Sequence, residues 1–328
     1  MARLTQPENT SEMFYNASNG DLPEQHYGTK LNGAVTAEEA IVAANMDWNV
    51  ITKPVYFRNH DSDFQQVEGK AAIVRQDDDG YETVFGVMSN GYHPVQNTEA
   101  FSFFDSVIGQ GEAIYHSAGS FLNGSKVWIM AKLPEDIEIV KGDVIQPYIL
   151  LSNSHDGSSA LRMQITPMRL ACWNMLSATL KQKAGFYAKH TRNVMQRATE
   201  AREVLGLAHA YYEMFAKQVD ELVNTKMTAL ETQDYLQQVY DFKDDVAYAE
   251  QDYRLVKAYE STLDLLGHPT NTLGGIQGTR WAAFNAVTYY IDHERPIRGR
   301  DKSDKRLDAS WFGKGAELRQ KAFNLLTV

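Results

Sequence analysis

Turn signals cut residues 48 to 168 into short runs, and no other feature of the chain constrains its fold as tightly. Asp78-Asp79-Gly80 separates KAAIVRQ from YETVFGVMS, and Asn90-Gly91 follows as a second turn. Asn123-Gly124 separates EAIYHSAGSFL from SKVWIMAKL, and Asp156-Gly157 separates VIQPYILLSNSH from SSALRMQI. Asn-Gly and Asp-Gly accept the positive φ that tight hairpin turns demand. Residues Asn97 to Ile108 break the rhythm: apolar side chains at 101, 104, 107 and 108 read as a helix. The expectation is an antiparallel, meander-rich sheet with a helix packed on it.

From about residue 169 the pattern becomes helical. Residues 191 to 224 read as one long helix bent near Gly206, followed by helices at 228–240, 250–266, 279–293 and 314–326. Thr36-Ala-Glu-Glu39 is a capping box, so a short helix should start there and run to about Met46. The fold class expected is α+β, with an antiparallel meander sheet and packed helix followed by a helical C-terminal region. Residues 1–34 read as a loose N-terminal arm, 35–190 as an α+β core domain and 191–328 as a helical region packing on or extending from it.

Composition narrows the function. Cys172 is the only cysteine, which excludes an intrachain disulfide and a cysteine-based zinc cluster. No apolar run approaches the roughly 20 residues that span a bilayer, and the N-terminus lacks a signal-peptide core. The formal net charge is −10, yet residues 157 to 199 contain no Asp or Glu. That window carries Arg162, Arg169, Lys181, Lys183, Lys189, His190, Arg192 and Arg197. A one-sign stretch suits a surface that meets an anion, and nucleic acid is the commonest large one. The first third of the window also reads as a strand inside the sheet, where burial alone would exclude acids.

Within the window, Thr166 to Asn174 ends a strand and enters a helix, so Arg169 could hold a phosphate and Trp173 could stack on a base. Cys172 and Trp173 would pack equally well in a core. Lys181 to Arg192 interleaves cations with Phe186 and Tyr187, a pattern suited to a single-stranded backbone with unstacked bases. Further along, Thr279 can cap a helix on which Trp281, Asn285, Thr288 and Asp292 share one face. Arg280, Trp281, Asn285, Arg298 and Arg300 are secondary contact candidates, the last two in the loop RPIRGRDKSDKR at residues 295–306. Gly274 to Thr279 lacks the lysine of a phosphate-binding loop, and no metal set or cofactor motif is spaced to form.

Several segments carry a family resemblance as a set. They are Asp47-Trp48, Gly91 to Asn97, Ser152 to Ser158, Thr166 to Asn174, Lys189-His190-Thr191, Gly278 to Trp281, Asn285-Ala286 and Asp292-His293. Together they resemble the phage/plasmid-like family known as domain of unknown function 932, over roughly residues 45 to 325. The resemblance implies a mobile-element origin and a bacterial cytoplasm as the place of action. At fold level the small meander plus helix is also similar to phage single-strand annealing proteins of the Red-beta and Erf type.

The function expected is a non-enzymatic single-stranded DNA-binding or annealing protein acting in replication or recombination. It would work as a homo-oligomeric ring or filament, with a phage recombination nuclease as a further partner and no membrane. The contact residues are Arg162, Arg169, Trp173, Lys181, Lys183, Tyr187, Lys189, His190, Arg192 and Arg197. Two alternatives stand beside it. One is an enzyme acting on nucleotides or nucleic acid through His155, Asp156, Arg169, His190, Asp292 and His293; the other is a structural or host-interaction protein docking through its acidic tail.

Overall fold

A computed structural model describes residues 13–16, 29–31, 35–108, 114–171, 174–176, 185–197, 200–201, 203, 206, 208–300 and 302–327. The architecture is α+β, with antiparallel sheets and a helical C-terminal region. The chain forms two compact units: residues 1–134, 149–164 and 185–207 make unit 1, and residues 135–148, 165–184 and 208–328 make unit 2. The units interleave along the sequence, because two long strands, Asp143–Ser154 and Leu161–Arg169, each divide between them.

In unit 1, strands β3 (Asn49–Arg58), β4 (Phe64–Gln76) and β5 (Glu82–Ser89) form a three-stranded antiparallel sheet. The turn at Asp78-Asp79-Gly80 joins β4 to β5, with Gly80 at φ 80°. The larger sheet includes β1 (Met13–Asn16), β2 (Thr29–Leu31), β6 (Ile114–Phe121), β7 (Lys126–Lys132), β8 (Ile137–Val140), β9 (Asp143–Ser154), β10 (Leu161–Arg169), β11 (Asn174–Met175) and β12 (Gly185–Ala188). Its order is β11-β10-β9-β7-β6-β1-β2, with β12 on β10 and β8 on β9. The expected loose arm therefore contributes two short strands, β1 pairing antiparallel with β6. Strand β7 is buried from Val127 to Ala131, which explains why VWIMA shows no polar alternation.

Helix α1 (Ala37–Ala43) starts at the Thr36–Glu39 capping box, both halves of which form. It packs on α2 (Asn97–Ile108), whose Phe101, Phe104 and Ile108 join Ile41, Met46 and Ile129 in the unit 1 core.

Unit 2 is built around α6 (Arg280–Tyr289), in which every residue from Trp281 to Thr288 is buried. Against it pack α3 (Ala208–Asn224), α5 (Tyr253–Leu265) and α8 (Lys314–Leu326), while α4 (Ala229–Val239) packs on α8. Helices α4, α5 and α6 are capped by Thr228, Asp252 and Thr279. A π-turn, Tyr290–Glu294, closes α6 with a bond from the Arg295 amide to the Tyr290 carbonyl.

Two helical expectations change. Of the long helix expected at 191–224, residues 194–197 form a 3₁₀ turn instead, whereas the described residues 200, 201, 203, 206 and 208–224 are helical. Residues 302–306, the end of the loop expected at 295–306, belong instead to helix α7 (Lys302–Trp311), which packs on α8 despite its polar composition. No described helix is long and apolar enough to cross a membrane.

The β6–β7 turn generates a test within unit 1. Leu122, Asn123 and Gly124 all take positive φ, 52°, 59° and 88°. A Cβ on Gly124 would sit 2.8 Å from Cζ2 of Trp48 and 2.9 Å from Nη1 of Arg75. Gly124→Ala is expected to lower unfolding free energy by about 1–3 kcal/mol in urea titrations. A neutral result would mean that the turn relaxes away from Trp48 freely.

Candidate nucleic-acid interface

The end of β9 carries Ser152, Asn153, Ser154 and His155, all buried. A buried polar group must find a partner, and here the partners are asparagines. The Asn97 amide nitrogen donates to the Met46 carbonyl at 2.8 Å, which turns its Oδ1 toward His155 Nε2 at 3.0 Å. The same logic holds at His190. Nδ2 of Asn153 donates to the Val95 carbonyl at 3.1 Å, and its Oδ1 lies 2.6 Å from His190 Nε2. An amide oxygen only accepts, so each imidazole carries its proton on Nε2 and keeps a lone pair on Nδ1. His155 Nδ1 is buried without a partner.

Aromatic rings enclose both imidazoles. Phe85 stacks on His155 at 5.7 Å and Trp48 meets it edge-on at 5.5 Å, while Tyr92 stacks on His190 at 4.9 Å. The Tyr92 hydroxyl donates to the Ser154 carbonyl at 2.9 Å, and Gln96 pairs with both backbone groups of Val50. Burial pushes His155 down to about 3, helped by the nearby His190 and opposed by Asp156. Burial likewise pushes His190 down to about 4. Both rings are neutral fixtures of the unit 1 core, without access for a substrate's proton. His190 was expected to contact nucleic acid; the bond to Asn153 and its burial correct that assignment.

The strand leading to His190 alternates. Phe186, Ala188 and His190 point inward, while Tyr187 and Lys189 point outward. Arg162 sits opposite Tyr187 in the β10–β12 register, its guanidinium carbon 5.4 Å from the ring centre. Gln164 donates to the Tyr187 hydroxyl at 3.3 Å, and the ring is 43% exposed. The Arg162 Nε has no acceptor. Arg192 is exposed and donates to His93 Nε2 at 3.1 Å. Arg197 is tied to Glu200 and to the Tyr187 carbonyl, and lies over Phe186. Arg162 and Tyr187 thus lie side by side on unit 1, and Lys189 and Arg192 are exposed further along the chain. Trp173, Lys181 and Lys183 lie outside the described residues.

In unit 2, Arg169 is fully buried and forks onto Asp143, with Nε to Oδ1 at 2.6 Å and Nη2 to Oδ2 at 2.8 Å. It also donates to the Thr270 carbonyl at 2.6 Å and to Asn271 Oδ1 at 3.4 Å. The Trp281 indole N–H donates to Asp143 Oδ2 at 3.0 Å. Bidentate, charge-assisted pairing of this kind satisfies both ions without water. Arg169 is therefore a core ion, Trp281 its fully buried neighbour, and neither contacts nucleic acid as expected. Asn285 is also corrected: it is fully buried and donates to the Trp281 carbonyl at 2.8 Å. Arg280 is half-buried and holds the Leu326 carbonyl at 2.9 Å, whereas Arg298 and Arg300 are exposed.

Asp292 accepts from Ser310 and from Arg319, whose guanidinium is buried. Among the described residues no group of His, Cys, Asp and Glu is placed to hold a metal ion. Asp143, Asn97 and Asn153 were missed as determinants; a lone Asn or Asp inside an apolar or helix-start segment was the available signal.

Residues 84–311 match the family model described as Domain of unknown function (DUF932), and the chain belongs to that family. No curated protein and no solved structure matches it.

Two measurements test the buried networks. Arg169→Met leaves the Asp143 carboxylate buried and unpaired, so unfolding free energy should fall by about 3–5 kcal/mol in denaturant titrations. A loss below about 1 kcal/mol would show that water or another cation replaces the guanidinium. The histidines predict a pH dependence. Unfolded, both bind a proton near the ordinary value of about 6.5; folded, they resist it down to about 3 and 4. Their contribution is complete above that unfolded value and is lost as pH falls toward the folded values. By pH 5 the loss is on the order of 2 kcal/mol per ring. His190→Gln should flatten the acid limb of a stability-against-pH curve, and an unchanged slope would contradict the assignment.

Proposed function

We propose that this member of the family binds single-stranded nucleic acid, DNA foremost, through the unit 1 face bearing Arg162, Tyr187, Lys189 and Arg192. It acts without catalysing a reaction on the strand, in a bacterial cytoplasm, and assembles as several copies along it.

The observation that carries this reading is Tyr187, an exposed ring on a short strand with an arginine beside it that has no acceptor of its own at Nε. An exposed aromatic offers a stacking platform to any base, worth about 1–3 kcal/mol, and sequence hardly matters to it. Strand geometry places Lys189 roughly 7 Å further along on the same side, where a phosphate linked to the stacked base would lie. Arg192, exposed three residues further along the chain, adds another cation. The rigid Asn153–His190 pair beneath them fixes which residues of the strand face outward.

A chain of net charge −10 repels a polyanion at long range, so binding should be local and weaken steeply with salt. The enzyme reading is less favoured, because His155 and His190, its candidate bases in unit 1, are enclosed by aromatic rings.

Fluorescence anisotropy of a labelled oligodeoxythymidylate across salt concentrations tests the proposal. Tyr187→Ala should weaken binding by about 5- to 150-fold, the equivalent of one lost stack. Lys189→Glu with Arg192→Glu should weaken it further and reduce the salt slope by about 0.7 per lost phosphate contact. Absence of binding at low salt, or indifference to all three substitutions, would refute the reading. Mass measured in solution with and without the oligomer reads the assembly.

A further inference from the structure

A sheet needs protection at its two edges, because each edge offers unpaired backbone donors and acceptors to any other strand. In the three-stranded sheet of unit 1 the edges are β3 and β5. Strand β3 is guarded. Gln96 takes both backbone groups of Val50, Pro54 lacks an N–H, Lys53 adds a charge, and the pairing with β4 is bulged between Pro54 and Tyr56. Strand β5, of sequence ETVFGVMS, has no proline and no cation. From Thr83 to Met88 its backbone bonds no described residue outside β4. Its one acid, Glu82, is matched by Lys53.

A bulge in β5 gives the strand a two-way symmetry. Ile73 pairs with Gly86 and Val74 with Val84, so Phe85 is the extra residue. Thr83, Phe85, Gly86 and Met88 face inward. Thr83 pairs with Arg75, which lies over Trp48; Phe85 stacks on His155; Gly86 and Met88 lie against Asp156 and Gly157. Glu82, Val84, Val87 and Ser89 face outward, with Val84 63% and Val87 49% exposed. Along the strand the order is out, in, out, in, in, out, in, out, the same from either end. Strict alternation over the same length lacks that property.

The outward face is apolar beneath one ion pair. Ile51, Val74 and Val84 form one cross-strand row, and Ala72 and Val87 belong to the next. Lys53 on β3 reaches Glu82 on β5 across β4, so its butyl chain passes over Val74. Val74 is accordingly buried, while Val84 and Val87 stay uncovered.

We propose that β5 pairs antiparallel with the β5 of a second copy of this chain, across a two-fold axis at Phe85–Gly86, so that two three-stranded sheets become one continuous sheet. In that register Val84 faces the partner's Val87, twice over by symmetry, and every inward residue faces an inward one. Glu82 comes opposite the partner's Ser89, with the partner's Lys70 one strand beyond. Lys53 already bridges the same two-strand span within one copy, and Lys70 is exposed with no ion pair to a described residue. The pairing closes at two copies. It supplies a contact for the multi-copy assembly proposed above, yet it rests on β5 alone and needs no nucleic acid.

Sedimentation equilibrium of the full chain without nucleic acid, across micromolar concentrations, tests it. The wild type should be dimeric. Val84→Lys with Val87→Lys sets like charges opposite each other twice, on positions exposed in the monomer, and the dissociation constant should rise about tenfold or more. Val84→Lys with Val87→Glu sets opposite charges at the same points and should restore the dimer. Circular dichroism checks that each variant folds. If the double-lysine variant does not, Val87→Lys alone should weaken the dimer about threefold or more. A monomeric wild type overturns the proposal and leaves the edge to a strand of another protein or to solvent. A dimer indifferent to the lysines, or one that the folded lysine–glutamate variant fails to restore, also overturns it. A monomer that still binds an oligodeoxythymidylate through Tyr187 would sink this contact alone, so its failure and that of the Tyr187 face are distinguishable.

Discussion

A charge removed from water must be met in full by its neighbours, and the Arg169–Asp143 fork is where unit 2 obeys that requirement. The guanidinium joins β10 to β9, and its remaining donors reach the loop at Thr270 and Asn271. Asp143 in turn takes the Trp281 N–H and so orients α6, the helix against which α3, α5 and α8 pack. Removing either ion leaves the other buried and unpaired. The helical part of the chain is thus arranged around a polar centre as well as around Phe215, Phe284 and Phe323.

Unit 1 solves the same problem with neutral groups. Asn97 and Asn153 each face a backbone carbonyl with one end and an imidazole with the other. They convert a strand end and two loops into a single rigid body without burying a formal charge. The segments that carry the family resemblance fall largely in these two networks: Trp48, Tyr92, Asn97, Asn153, His155 and His190 in one, Arg169, Trp281 and Asn285 in the other. Much of what marks the family is therefore interior.

Local chemistry was legible in the sequence. Asp79-Gly80 and Asn123-Gly124 announce their turns because positive φ is a property of one or two residues. The capping box at Thr36, helix α2 and the span of α8 follow from spacing alone. Long-range partners were not legible. Arg169 looked like a surface cation because its own window has no acid, yet its carboxylate lies 26 residues upstream. His190 looked exposed among lysines, while Asn153 holds it from 37 residues away. Helix α7 was missed because KSDKRLDASW offers little apolar periodicity and gains its place from packing on α8. The strand at Gly185–Ala188 that turns Tyr187 outward was not read from the sequence, where residues beyond 169 looked helical, and its arginine partner came only with the β10–β12 register.

The unit 2 network also has an order in time. A ribosome releases Asp143 and Arg169 long before Asn271 and Trp281, which lie 102 residues beyond the arginine and 138 beyond the aspartate. At roughly 5–20 residues per second, that interval is on the order of ten seconds. Throughout it the ion pair exists without the loop and helix that enclose it, and both ions remain hydrated. The nascent β9 and β10 therefore cannot commit their lower halves to a dry core during synthesis. Completion of that core waits for the last third of the chain, so premature termination there would release a protein with a wet, open interior.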